Sequence, residues 1–170
     1  AATWHVRAAR WVRITDLVAS QRHWTQARTL RVALPDSAER TQLLLEIYPE
    51  LINTLDRLGA ALTESETVYV EAVAHARQAV DRRTEALIEA AYGHLKTSHN
   101  EWPAVIEHAQ CAVTLADAVG DRPVQLFARF VLGRAFAWQA RQHEAVRVFD
   151  EVAEIGGGDA AADIEVLGWR

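Results

Sequence analysis

The sequence predicts an all-α chain, a right-handed α-α superhelix of about four helical hairpins, and three observations carry that prediction. Gly59, Gly93 and Gly133 recur at intervals of 34 and 40 residues, each directly after a bulky apolar residue, Leu58, Tyr92 or Leu132. A glycine within a helix lets a second helix approach closely, so a recurring one marks a repeated crossing. In the stretch Leu132 to Val152, Ala145, Phe149 and Val152 follow Gly133 at i, i+4 and i+7 spacing, which sets large side chains against a small one. Val105, Ala109 and Ala112 repeat the scheme behind Gly93. Third, only 8 Gly and 4 Pro interrupt 170 residues that are 50% hydrophobic and 24% charged, a composition suited to one helical domain spanning 1–170.

Each element follows from local signals. A first hairpin is expected over about 3–33, its helices at about 3–13 and 16–33, with Thr15 or Asp16 capping the second and Pro35 ending the path. The next hairpin, about 37–82, opens with a helix to residue 59 whose stripe of Leu44, Ile47, Tyr48, Leu51, Leu55 and Leu58 has helical spacing and must be buried. Pro49 lies in that stripe, where a proline costs roughly 3 kcal/mol if the helix runs on, so a kink is expected near 45–49. Thr63 and Glu66 read as a capping box for a helix at about 64–81 with Val70, Val73, Ala76, Ala79 and Val80 inside. The third hairpin, about 83–120, has its second helix opened by Ser98 with Glu101 and by Pro103 in the first turn, and closed by Gly120. Asp121 and Pro123 start the fourth, about 121–156, which turns at 139–142 and ends in the glycines 156–158. Residues 159–170 read as the start of a further helix without its mate, and with an Ala-Ala-Thr opening and no Met they predict a piece cut from a longer polypeptide.

Composition and missing motifs narrow the function. No window approaches the roughly 18 uninterrupted apolar residues of a membrane span and no signal peptide is visible, so the expectation is a cytoplasmic chain without membrane contact. The single cysteine, Cys111, excludes an intrachain disulfide. No phosphate loop, nucleophile elbow, HExxH or CxxC motif occurs, which predicts a chain that is not an enzyme and holds no cofactor. His108 and Cys111, with His94 and His99 one repeat earlier, give two potential ligands on one helix and no clear third, so no metal site is expected; a thiol on an alanine-rich face serves as a small hydrophobe. Asp81 with Glu85 has the spacing of a paired-carboxylate site, but the flanking Arg82 and Arg83 make it a solvated charge cluster. A net charge of −5 argues against general nucleic-acid binding. The cluster Arg7, Arg10, Arg13, Arg22, Arg28 and Arg31 suits either phosphates or an acidic neighbouring domain, and the acidity of the remaining chain favours the neighbour.

The stretches AARWVRITDLVASQRHWTQAR, LINTLDRLGA, EAAYGHLKT, LGRAFAWQARQHEAVRVF and GGGDAAADIEVLGWR together resemble the tetratricopeptide-like helical region of large bacterial signalling proteins. In that group a class III adenylate or guanylate cyclase domain, or a LuxR-type DNA-binding domain, is joined to a P-loop ATPase and then to helical repeats. The resemblance spans nearly the whole chain, with departures at Pro49 and in the first hairpin. It implies a regulatory module that binds a protein partner or a neighbouring domain of the same chain. It also implies that the first helix of each pair lines a concave binding face, at positions falling on Asn53 and Asp56, then His94 and Thr97, then Phe130, Arg134 and Trp138. Arg134 and Trp138 stand four apart on one helix face, and Arg and Trp are favoured at interface hot spots. Two further expectations are a small-molecule effector pocket lined by Trp138, Phe130 and His94, and homodimerisation through an uncovered solenoid end.

Overall fold

The computed structural model describes residues 1–35 and 37–157, and every regular element among them is helical. The expected helix at 159–167 and Gly158 lie outside the described residues. The chain divides into a unit Ala1–Val80 and a unit beginning at Asp81.

The first unit holds α1 (Ala2–Val12), α2 (Leu17–Val32), α3 (Ala38–Leu58) and α4 (Leu62–Gln78), each packed on the next. Asp16 caps α2 by accepting from the Ala19 N–H at 2.8 Å, and Ser37 caps α3 through the Arg40 N–H at 3.1 Å. The α1–α2 hairpin is tight because small residues meet: Ala9 and Ala27 are fully buried, and the Ser20 hydroxyl donates to the Ala9 carbonyl at 3.2 Å. Helix α3 carries the heaviest core, with Leu44, Ile47, Leu51, Ile52 and Leu55 almost wholly removed from water. Each such side chain contributes about 1.5–3 kcal/mol. That sum exceeds the roughly 3 kcal/mol a mid-helix proline costs, and α3 accordingly continues through Pro49 as one helix.

The second unit holds α5 (Arg82–Thr97), α6 (Trp102–Val119), α7 (Arg122–Trp138) and α8 (Gln142–Gly156). Its period is 40 residues: α5 and α7 start at 82 and 122, α6 and α8 at 102 and 142. Asp81 and Asp121 cap the two first helices in the same way, accepting from the N–H of Thr84 at 3.0 Å and of Val124 at 3.1 Å. Asn100 and Ala140, again 40 apart, hold positive φ of 59° and 58° in the intrapair turns. Helix α5 packs on α6 and α7, and α7 packs on α6 and α8, so the first helices of successive pairs are neighbours.

Gly93 and Gly133 act as the sequence predicts. A Cβ on Gly93 would sit 3.1 Å from His108 Cβ, and one on Gly133 would sit 2.8 Å from Cε1 of Phe149. Gly59 does not belong with them: it is the C-cap of α3 at φ 63°, with open space where a side chain would lie. Its 34-residue spacing to Gly93 therefore measures no repeat. Two capping boxes also fail. Helix α4 begins at Leu62 with Ala61 as an N-cap that offers no side-chain bond, while Ser98 is the C-cap of α5 and Glu101 turns to Lys96. On α4 the buried stripe is Val68, Ala72, Val73 and Ala76; Val70 falls on the opposite, exposed face, and Ala79 and Val80 lie beyond the end of the helix and are exposed.

Candidate functional site

The adjacency of α5 and α7 places His94, Phe130, Arg134 and Trp138 on one face of the second unit. Phe130, Arg134 and Trp138 follow each other at four-residue steps along α7, and His94 stands on α5 at the position that Arg134 occupies one repeat later. An Nη1–H of Arg134 donates to Nε2 of His94 at 3.0 Å, which puts the ring proton of a neutral His94 on Nδ1. The guanidinium carbon also lies 5.4 Å from the centre of the Phe130 ring, a cation–π contact. At the end of α7 the indole of Trp138, 69% exposed, stacks on Trp102 with ring centres 6.0 Å apart and planes 14° apart.

Arg134 differs from Arg83, Arg129 and Arg141 in what holds it. Arg129 is buried and bridges Asp117, through two bonds of 2.8 Å, and Glu151 at 2.9 Å; Arg83 bonds Asp121 at 2.7 Å; Arg141 pairs with Glu144. Arg134 is positioned instead by an imidazole and a phenyl ring. Its cation is fixed in place and uncompensated by a carboxylate among the described residues.

The remaining expected site residues fare differently. Thr97 is half-buried and donates its hydroxyl to the His94 carbonyl at 2.6 Å, which turns it inward to its own helix. Asn53 and Asp56 belong to α3 in the first unit; Asn53 is buried and Asp56 half-exposed. Sequence reasoning missed Trp102. The signal was present in its place at the first position of α6, directly before Pro103, where a side chain projects beside the end of the neighbouring helix.

Other charged groups are spent on structure. His108 Nδ1 lies 2.8 Å from the buried Glu89 carboxylate. Among the described residues no three His, Cys, Asp or Glu side chains converge as metal ligands. Asp81 holds Thr84 by both backbone and hydroxyl, the latter at 2.7 Å, so it is a helix cap. Lys96 bonds Glu101 at 2.6 Å and lies 5.0 Å from the Tyr92 ring centre; one repeat later Phe136 and Arg141 replace that ion pair with a cation–π contact of 4.4 Å. In the first hairpin, Arg10, Arg28 and Arg31 face Glu46, Glu71 and Glu39 at 3.6, 2.6 and 3.9 Å, which neutralises half of the basic cluster internally. No described helix is long and apolar enough to cross a membrane.

No protein-family model matches this sequence, and no curated protein matches it either.

Proposed function

We propose that the chain is a non-catalytic interaction and regulatory module, a tetratricopeptide-like right-handed superhelix of helical hairpins serving a cytoplasmic bacterial ATPase-linked cyclase or transcriptional regulator. The observation that carries this reading is Arg134, a cation held in place by His94 and Phe130 on the same face as the exposed Trp138, which stacks on half-buried Trp102. A partner that supplies a carboxylate would complete the charge, in a bidentate geometry that suits guanidinium, and an apolar side chain next to it would cover the indoles. A segment of a protein partner, or of a neighbouring domain of the same chain, offers both in adjacent residues. The absence of recognisable catalytic motifs and the use of Asp81, Asp121, Asp117 and Arg129 in caps and ion pairs agree with a surface that binds and does not react.

The test is a peptide-display selection on the immobilised chain. Selected sequences should carry Asp or Glu next to an apolar residue, and Arg134→Ala with Trp138→Ala should abolish their binding while far-ultraviolet circular dichroism stays unchanged. Full binding by that double variant removes this face from consideration.

A further inference from the structure

Outside the face described above, one constellation is already arranged for ligand chemistry: the two histidines of the first hairpin. His5 on α1 and His23 on α2 bring their Nδ1 atoms to 3.0 Å, in an environment that leaves both rings half-exposed. Trp4 stands edge-on to both, 4.9 Å from the centre of His5 and 5.4 Å from that of His23. The helices beneath do not yield easily, because Ala9, Trp24 and Ala27 are fully buried between them and Ser20 ties α2 to the Ala9 carbonyl. A packed hairpin thus brings the two rings side by side, and both are half-exposed.

We propose that His5 and His23 form a two-imidazole clamp for a divalent late transition-metal ion, with Cu²⁺ preferred over Ni²⁺ and Zn²⁺. An imidazole nitrogen binds such an ion at about 2.0–2.1 Å, so two nitrogens at right angles lie about 2.9 Å apart and two at tetrahedral angles about 3.3 Å. The observed 3.0 Å is the length of a hydrogen bond between the rings, close enough that a modest rotation of each brings both nitrogens onto one ion, and Cu²⁺ heads the affinity order for nitrogen ligands. The ion takes the place of the single hydrogen now shared between the rings. Both rings swing off the line joining their Nδ1 atoms, the ring that carried the Nδ1 proton gives it to water and takes one back on Nε2, and water fills the other metal positions.

Trp4 is a built-in reporter, since Cu²⁺ at the clamp would quench its fluorescence. CuSO₄, NiCl₂ and ZnSO₄ are titrated into the whole chain in a non-coordinating buffer, with calorimetry and tryptophan emission as readouts. The expected result is saturation at one equivalent in the order Cu²⁺, Ni²⁺, Zn²⁺, with a rise in melting temperature on loading. His5→Ala and His23→Ala should each weaken Cu²⁺ binding by about tenfold or more, because a chelate becomes a single ligand. His23→Gln serves as the variant that keeps a polar side chain on α2. His143→Ala, on the exposed start of α8, and acetylation of the amino terminus should leave binding unaltered. Wild-type Cu²⁺ affinity in His23→Ala and His23→Gln, or loss of binding on acetylation alone, would overturn the clamp.

Discussion

The ring of Phe149 lies over Gly133 so closely that a methyl group there would stand 2.8 Å from Cε1, and 40 residues earlier His108 covers Gly93 at 3.1 Å. The two crossings are equivalent in the repeat yet differ in what can give way. Phe149 is 36% exposed and can swing outward, whereas the atom over Gly93 is a Cβ fixed to the α6 backbone, on a side chain paired with buried Glu89. Alanine for glycine in a helix otherwise gains about 0.5–1 kcal/mol. Urea unfolding should therefore show Gly93→Ala to be the more destabilising of the two substitutions. In a Phe149→Ala background, Gly133→Ala should stabilise by about 0.5–1 kcal/mol. An equal loss with and without Phe149 would show that the ring does not set the crossing.

Val80 has φ 56°, a conformation that a β-branched residue adopts at a cost of about 1–2 kcal/mol; 40 residues later Gly120 fills the equivalent place at φ 74°. Val80 is also 77% exposed, so little packing is lost on trimming it. Val80→Gly is expected to raise stability by about 1 kcal/mol, read as a higher urea midpoint at unchanged slope. A lower midpoint would mean that the side chain contributes a contact larger than the strain.

Arg129, through its hydrogen bonds above all, holds the Asp117 carboxyl below its usual range. A carboxylate whose folded value is depressed gives stability that is present above its unfolded value and is lost as pH falls through the folded one. Unfolding free energy of the wild type should therefore fall from about pH 4 downward, and Arg129→Met should be less stable at neutral pH with a shallower acid limb. Asp117 is largely in contact with water, so the effect is screened by salt. Parallel acid limbs in the two proteins would contradict the coupling.

In the first unit, burial and then the neighbouring Glu71 push the Tyr48 hydroxyl up to about 12. The folded chain thus keeps a proton that the unfolded chain releases near pH 10, and stability must decline as pH rises from there. Tyr48→Phe lacks this proton, and its stability should change less between about pH 10 and 12. Chemical denaturation along that series checks it; identical curves would place Tyr48 outside the linkage.

Much of the helical order is legible in the sequence because the signals are local. Asp16, Asp121, Pro103 and Pro123 each fix a helix start within their own turn. What misleads is a local signal with a tertiary competitor: Glu101 has the spacing of a capping residue but finds Lys96. Gly59 fails for a different reason, since the sequence does not distinguish a glycine chosen for positive φ from one chosen for close approach. The pairing of Arg134 with His94 and the stack of Trp138 on Trp102 depend on the neighbouring helices, which periodicity along one helix cannot reveal. The His5–His23 pair was hidden likewise, its members being 18 residues apart on two helices.

The most direct measurement of the interaction account is the footprint of a bound peptide. Amide chemical shifts of the labelled chain, titrated with a display-selected acidic peptide, are predicted to move in one cluster at His94, Trp102, Arg134 and Trp138, with the Trp138 indole signal shifting most. Shifts confined to α1 and α2, or to α8, would contradict it.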